Sequence, residues 1–199
     1  SHRKVGTFGI AGTFSFQASK VMTAGEGGIV LTNDDALERM ARAVHDCGRM
    51  PGHHFYEHLV YGSNYRLSEW QGALLRVQLS RLDEQTARRH HNARLLDELL
   101  SEITGLTPQV LDKRCTKNGG YLYMFHYDRK GFKDLPPARF IEALKAEGIP
   151  NQASYPPLSA LEVFRSGKYK VRFPAEPAAQ ADALRQGTFP NSVRTAEEV

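Results

Sequence analysis

Gly12-Thr13-Phe14-Ser15-Phe16-Gln17-Ala18-Ser19-Lys20 is followed, after a short gap, by Gly25-Glu26-Gly27-Gly28-Ile29-Val30-Leu31-Thr32-Asn33. Aromatic and β-branched residues bounded by glycines read as strands, over Val5 to Phe16 and again over Gly28 to Thr32. The first run ends in one lysine, with a serine five residues before it. A lysine held at a strand end is placed to form a Schiff base with a carbonyl, and the serine hydroxyl stands within reach of a phosphate. Taken alone, Lys20 reads more plainly as a surface lysine, and Ser15 can equally be a serine bonded to backbone. Gln17 lines a pocket or fills space. The glycines from Gly25 to Gly28 serve conformation, because glycine adopts positive φ and lets backbone pass close to its neighbours. A nucleotide-type phosphate loop is set aside, since this glycine run opens no helix, and Glu26 reads as structural.

Outward from that stretch the pattern is α/β, then mostly helical, then mixed. Asn33 or Asp34 caps a helix over Ala36 to Cys47, whose Leu37, Met40, Ala41 and Val44 recur at helical spacing before Gly48 closes it. Arg49 to Ser63 shows no period and reads as a loop. Ser68 caps a helix with Trp70, Leu74, Val77 and Leu82 on one stripe. The pattern runs on, with room for a break, through Leu95, Leu96, Leu99 and Leu100 to Ile103. So long a helical run, followed by Gly105 and Pro108, suits a connector between two lobes. Beyond it come a strand over Gly120 to Tyr127, a helix over Pro137 to Glu147, a turn at Gly148-Ile149-Pro150 and a proline-rich remainder. Thr195-Ala196-Glu197-Glu198 reads as the opening of a further helix, so that both ends of the chain read as cut.

Composition excludes several classes. At 199 residues and 41% hydrophobic, the chain buries one sizeable core or splits into two small lobes. The net charge of +4 is mild and favours anionic small ligands only weakly. Two cysteines, Cys47 and Cys115, make no disulfide framework and point to a reducing cytoplasm. No run approaches the apolar length of a membrane span. The basic stretch from Arg76 to Arg94 is interrupted by Asp83 and Glu84 and lacks interleaved aromatics, which fits a solvated face better than a nucleic-acid surface. His53, His54, His58 and the pair His90-His91 fit no metal-ligand spacing, and His90-His91 reads as solvated surface.

Three segments in order carry a resemblance: Phe14 to Lys20, Thr23-Ala24-Gly25-Glu26-Gly27-Gly28, and Gly62-Ser63-Asn64-Tyr65-Arg66-Leu67-Ser68-Glu69. Together with Gln78 to Asp83, Gly148-Ile149-Pro150 and Tyr155-Pro156-Pro157-Leu158, they resemble the sugar and cyclitol aminotransferases of the DegT/StrS type over residues 5–164. These are pyridoxal-phosphate enzymes of the aspartate-aminotransferase fold. The resemblance implies an α/β chain. Residues 1–85 would be the C-terminal part of the cofactor-binding large domain, with a mixed sheet and helices. Residues 86–103 would be a connecting helix, and 104–199 a smaller α+β domain.

The resemblance also implies roles. Lys20 corresponds to the lysine that carries pyridoxal phosphate as an internal aldimine, and Ser15 to a phosphate ligand. Asn64 corresponds to the residue that reaches the cofactor phosphate of a partner subunit, with Arg66 near the same interface, so the family's site is shared across a homodimer. Read without the other motifs, Asn64-Tyr65 is a turn before the helix and Arg66 a solvated charge. A weaker substrate-contact role falls to His53, on a loop like one that covers the family's substrate entrance, and to Tyr155. The expected reaction transfers an amino group from glutamine or glutamate to a keto-cyclitol or keto-sugar, with Gly120 to Leu158 closest to the cyclitol and amino-hydroxybenzoate branch. The alternatives are a nucleotide-linked 4-keto-sugar aminotransferase and a regulatory or binding homologue without catalysis. Ile10 stands where the family usually has an acidic residue, and Ser159 where it often has a histidine. In the family the aspartate facing the pyridine nitrogen, the ring-stacking aromatic and a second phosphate segment all precede the lysine, further upstream than residues 1–19 reach.

Overall fold

The structure is a computed structural model and describes residues 3–166 and 189–198. Strand β1 (Ala11–Ser15) pairs antiparallel with β2 (Gly28–Thr32), from Ala11 opposite Thr32 to Ser15 opposite Gly28. The strand expected from Val5 starts only at Ala11. The Gly6 backbone folds back against the strand so closely that a Cβ on Gly12 would lie 2.3 Å from the Gly6 carbonyl oxygen. The Phe14 ring covers Gly6, which adopts φ +93°. That reversal needs glycine and ends the extended run.

Helix α1 (Asp35–His45) opens on Asp34, whose carboxylate accepts the Ala36 and Leu37 N–H groups, each at 2.9 Å. It stops two residues before the expected Cys47, because Cys47 and Gly48 turn left-handed at φ 61° and 86°. Ala43 on its inner face is fully buried. Helix α2 (Glu69–Ser101) is one unbroken element of 33 residues, without the interruption that the sequence left room for. Ser68 and Gln71 close its first turn reciprocally: the Ser68 N–H donates to Gln71 Oε1 at 3.0 Å and the Gln71 N–H to Ser68 Oγ at 3.3 Å. Leu75 and Thr86 are buried along α2, whereas Trp70, Leu74, Val77, Leu95 and Leu99 of the expected stripe are exposed.

The described residues fall into two units. The first holds residues 3–93 and 112–122, with β1, β2, α1 and most of α2; the second holds 94–111, 123–166 and 189–198. In the second unit, β3 (Leu106–Pro108), which the sequence did not announce, pairs antiparallel with β4 (Phe125–Tyr127). The strand expected over Gly120 to Tyr127 is thus only its last three residues, because the preceding segment belongs to the other unit. Tyr127, Phe132, Phe140 and Phe125 form an aromatic cluster between this ladder and α3 (Pro137–Ala146), with the Tyr127 and Phe140 ring centroids 4.6 Å apart. Desolvation pushes the Tyr127 phenol up, and its hydroxyl donates to the Leu135 carbonyl at 3.0 Å.

A short helix α4 (Glu162–Arg165) and helix α5 (Pro190–Glu198) complete the described elements. Thr195 does not open a helix as expected. It lies inside α5, with its hydroxyl donating back to the Asn191 carbonyl at 2.9 Å. Part of the proline-rich remainder, residues 167–188, lies outside the described residues. No described helix is long and apolar enough to cross a membrane, and Cys47 and Cys115 are free thiols.

Candidate active site

The lysine segment is a tightly stapled turn at the end of β1. The Phe16 N–H donates to the Gly27 carbonyl at 2.8 Å, and the Phe16 carbonyl accepts the Ala24 N–H and the Thr23 hydroxyl, each at 2.9 Å. Residues between them are therefore closed into a loop, and the Lys20 N–H returns to the Gln17 carbonyl at 2.9 Å. Inside the loop, Gln17 Oε1 accepts both the Ser19 N–H (2.9 Å) and the Ser19 hydroxyl (2.7 Å), while the Gln17 N–H donates to Ser15 Oγ at 3.2 Å. Gln17 is thus the internal brace of the turn, a role its sequence reading did not name.

The glycine turn beside it is shaped by contact. Gly25 and Gly27 have φ of 82° and 134°, and a Cβ on Gly27 would strike Leu67 Cδ1 at 2.7 Å. Gln71 at the start of α2 donates to the Glu26 carbonyl at 2.7 Å. The start of α2 is in this way tied to the turn that follows Lys20.

Lys20 is half-buried, and its ammonium lies over the face of Tyr121, 4.4 Å from the ring centroid. The Tyr121 hydroxyl in turn meets Ser19 Oγ at 3.1 Å, across 102 residues of sequence. Sequence reading missed both Ser19 and Tyr121. The only local signal was the Gly119-Gly120 pair before the tyrosine, which nothing in the sequence connects to a lysine a hundred residues away.

Asn64 lies at the end of α1. Its backbone bridges Asp46 there, and its Oδ1 accepts the Arg66 N–H at 3.4 Å. Arg66 is engaged within the chain: its guanidinium pairs with the Asp46 carboxylate and stands 3.8 Å from Cys47 Sγ. Arg66 first, and then Arg49 at 2.9 Å, hold the Asp46 carboxyl below the usual range, and Asp46 holds Arg66 above its own. His53 is exposed and lies 3.3 Å from the Glu57 carboxylate. Tyr155 belongs to the second unit, where it lines a shallow concavity with Ser154, Asn191 and Thr195. Ser159 is buried. His90 is not solvated as expected: its Nε2 contacts the Asn118 carbonyl, while His91 is exposed. Among the described residues no group of histidine, cysteine and acidic side chains is arranged to hold a metal ion.

The donors bear on what the lysine turn and the Asn64 segment can bind. Among the described residues, the Lys20 amine, the Ser15 hydroxyl proton and the Asn64 amide N–H groups have no acceptor. An amine and two neutral donors with unused hydrogens suit a ligand that carries a carbonyl and an anionic phosphate. Pyridoxal phosphate is such a ligand, and these residues fit it.

A family model described as the DegT/DnrJ/EryC1/StrS aminotransferase family matches residues 1–195. A 3-amino-5-hydroxybenzoate synthase of Amycolatopsis mediterranei (strain S699) is 38% identical over 164 residues, covering 81% of this chain and 42% of the relative. An L-glutamine:2-deoxy-scyllo-inosose aminotransferase of Micromonospora echinospora is 42% identical over 168 residues, covering 79% and 40%. Among solved structures, DesI in the presence of its TDP-sugar product superposes with a TM-score of 0.74 at 27% identity, over 99% of this chain and 45% of that one. The chain thus has part of an α/β aminotransferase fold and spans about two fifths of the length of the curated relatives it matches, 42% and 40% in the two cases.

Proposed function

From the premise that the chain belongs to the DegT/DnrJ/EryC1/StrS aminotransferase family, we propose that it forms part of a pyridoxal-phosphate aminotransferase that aminates a keto-cyclitol with glutamine as donor. The relatives that are named for glutamine and a deoxy-inosose, and for an amino-hydroxybenzoate, support the substrate class. Glutamate is the alternative donor. The observation that carries the reading is the Lys20 amine, without a carboxylate or carbonyl partner among the described residues, at the end of a turn braced by Gln17.

When bound, pyridoxal phosphate supplies an aldehyde for the lysine and an electron sink for the substrate carbon. Everything else falls to side chains. Lys20 Nζ would hold the cofactor covalently and, as a free amine, would take the proton from the amine-bearing carbon and pass it on rather than back. The short loop closed on the Phe16 carbonyl fixes the backbone from which the Lys20 side chain extends. Ser15 gives its O–H to the cofactor phosphate. Asn64, which lies against the end of α1, gives its amide N–H groups to the phosphate of a second subunit, and the working unit is a homodimer. Arg66, held beside Asn64 by the Asp46 pair, is assigned to substrate contact, as are His53 and, in the second unit, Tyr155. A reducing cytoplasm agrees with the two free thiols.

The test is direct. Full-length protein incubated with pyridoxal phosphate and then borohydride should carry the cofactor on the Lys20 peptide, and Lys20→Ala should abolish both labelling and transamination without loss of helical content. Labelling elsewhere, or none, sinks the reading and leaves a binding homologue. Substrate class is then settled by assaying keto-cyclitols against nucleotide-linked keto-sugars with glutamine and glutamate. A preference for the nucleotide-linked ketone would select the second reading, favoured by the superposition on DesI over 99% of the chain.

A further inference from the structure

Residues 112–122 leave the second unit and run along α2, held at three successive places. Lys117 pairs with Asp83 at 3.3 Å, the Asn118 carbonyl meets His90, and Gly120 passes so close to Arg89 that an added Cβ would lie 3.2 Å from the arginine Cβ. Gly120 takes φ +66°, a turn that a residue with a side chain resists, and it delivers the next residue, Tyr121, onto Lys20. The ring is held at its hydroxyl by Ser19, whose own hydroxyl is fixed by Gln17. One strap and one braced turn thus converge on a single lysine.

We propose that Tyr121 is the resting platform of Lys20: its ring face receives the ammonium whenever the amine carries no other group, and the Ser19 hydroxyl sets the ring. The proposal rests on Lys20 being the cofactor-attachment residue, because only a lysine that is repeatedly released and recaptured has use for a defined resting place. The attraction is that of a cation for the ring quadrupole, which a neutral nitrogen does not share. It therefore holds the free side chain near the site without opposing chemistry at the neutral amine. Tyr121 is a positioning residue, since it acts through Lys20.

The test reads the lysine itself in the full-length protein without cofactor. Lysines are reductively methylated with ¹³C-formaldehyde, and the Lys20 resonance is assigned by Lys20→Arg. A nitrogen above a ring face carries methyl groups shifted upfield of ordinary dimethyl-lysine. Tyr121→Leu should return the shift to the ordinary position, and Tyr121→Phe and Ser19→Ala, which delete the same hydroxyl contact, should each reduce it by freeing the ring. Loss of the resting state in Tyr121→Leu should also tighten cofactor attachment, read by spectral titration, by about two- to fivefold. An ordinary Lys20 resonance in the unsubstituted protein overturns the proposal, as does a shift that survives Tyr121→Leu. Should Tyr121→Leu fail to fold, the unsubstituted protein and Ser19→Ala still decide. A shifted Lys20 that borohydride never labels with cofactor counts against the proposed function, not against the platform.

Discussion

At the scale of single residues, Arg66 shows how a motif residue is occupied twice. It follows Asn64 in the segment that carries the resemblance, yet in the folded chain its charge is matched by Asp46 at the end of α1. Arg66 and then Arg49 keep the Asp46 carboxyl lower in the folded chain than in the unfolded one. A depressed carboxyl contributes stability at pH above its unfolded value, and that contribution disappears as pH falls through the folded value. Arg66→Gln should therefore raise the Asp46 titration toward the ordinary carboxylate range, observed on its ¹³C carboxyl resonance, and should make stability less steep on the acid side. An unmoved Asp46 titration would mean that Arg49 alone holds it, leaving Arg66 free for ligands. The residues that sequence reading singled out here were a lysine and a serine at a strand end, and only the neighbouring motifs gave them a proposed role. Those it missed, Ser19 and Tyr121, are ordinary residues made special only by a contact between distant segments.

At the scale of elements, the sequence was legible where local chemistry decides and illegible where contact does. The first turn of α1 is a local matter. Two residues competed for its cap, and Asp34 holds it with two bonds of 2.9 Å while Asn33 makes no such bond. Asp34→Ala should cost about 1 kcal/mol in chemical denaturation of the full-length protein, and Asn33→Ala close to nothing. Equal effects would show that the cap is shared. α3 was legible for a similar reason, since Pro137 starts a helix well and Gly148, at φ 81°, ends one. The β1 start and the length of β4 were not, because each is set by where a remote backbone lies: Gly6 against Gly12 in one case, the strap along α2 in the other. The exposed stripe of α2 marks the limit of periodicity as a signal. Spacing found the apolar face but could not say that no described part of this chain covers Trp70, which is 87% exposed.

At the scale of the whole molecule, the proposed homodimer offers a second copy of the chain to cover that face. Leu74 and Val77 are exposed along α2 together with Trp70, and Tyr61 just before the Asn64 segment is 96% exposed. Exposed apolar side chains are costly in water, and the proposed dimer would cover them. If each site takes its lysine from one subunit and its asparagine from the other, then damage to the two residues must complement between chains. Full-length Lys20→Ala and Asn64→Ala proteins, each inactive or nearly so, are mixed, dissociated and reassembled. In a two-fold dimer, random pairing makes half the dimers mixed, and each mixed dimer has one site carrying both substitutions and one carrying neither. Activity should return to about a quarter of the unsubstituted level. If Asn64 served the lysine of its own chain, every site in every dimer would carry one substitution, and mixing would restore nothing. The measurement thus separates a shared site from a self-contained one irrespective of which ketone the enzyme accepts.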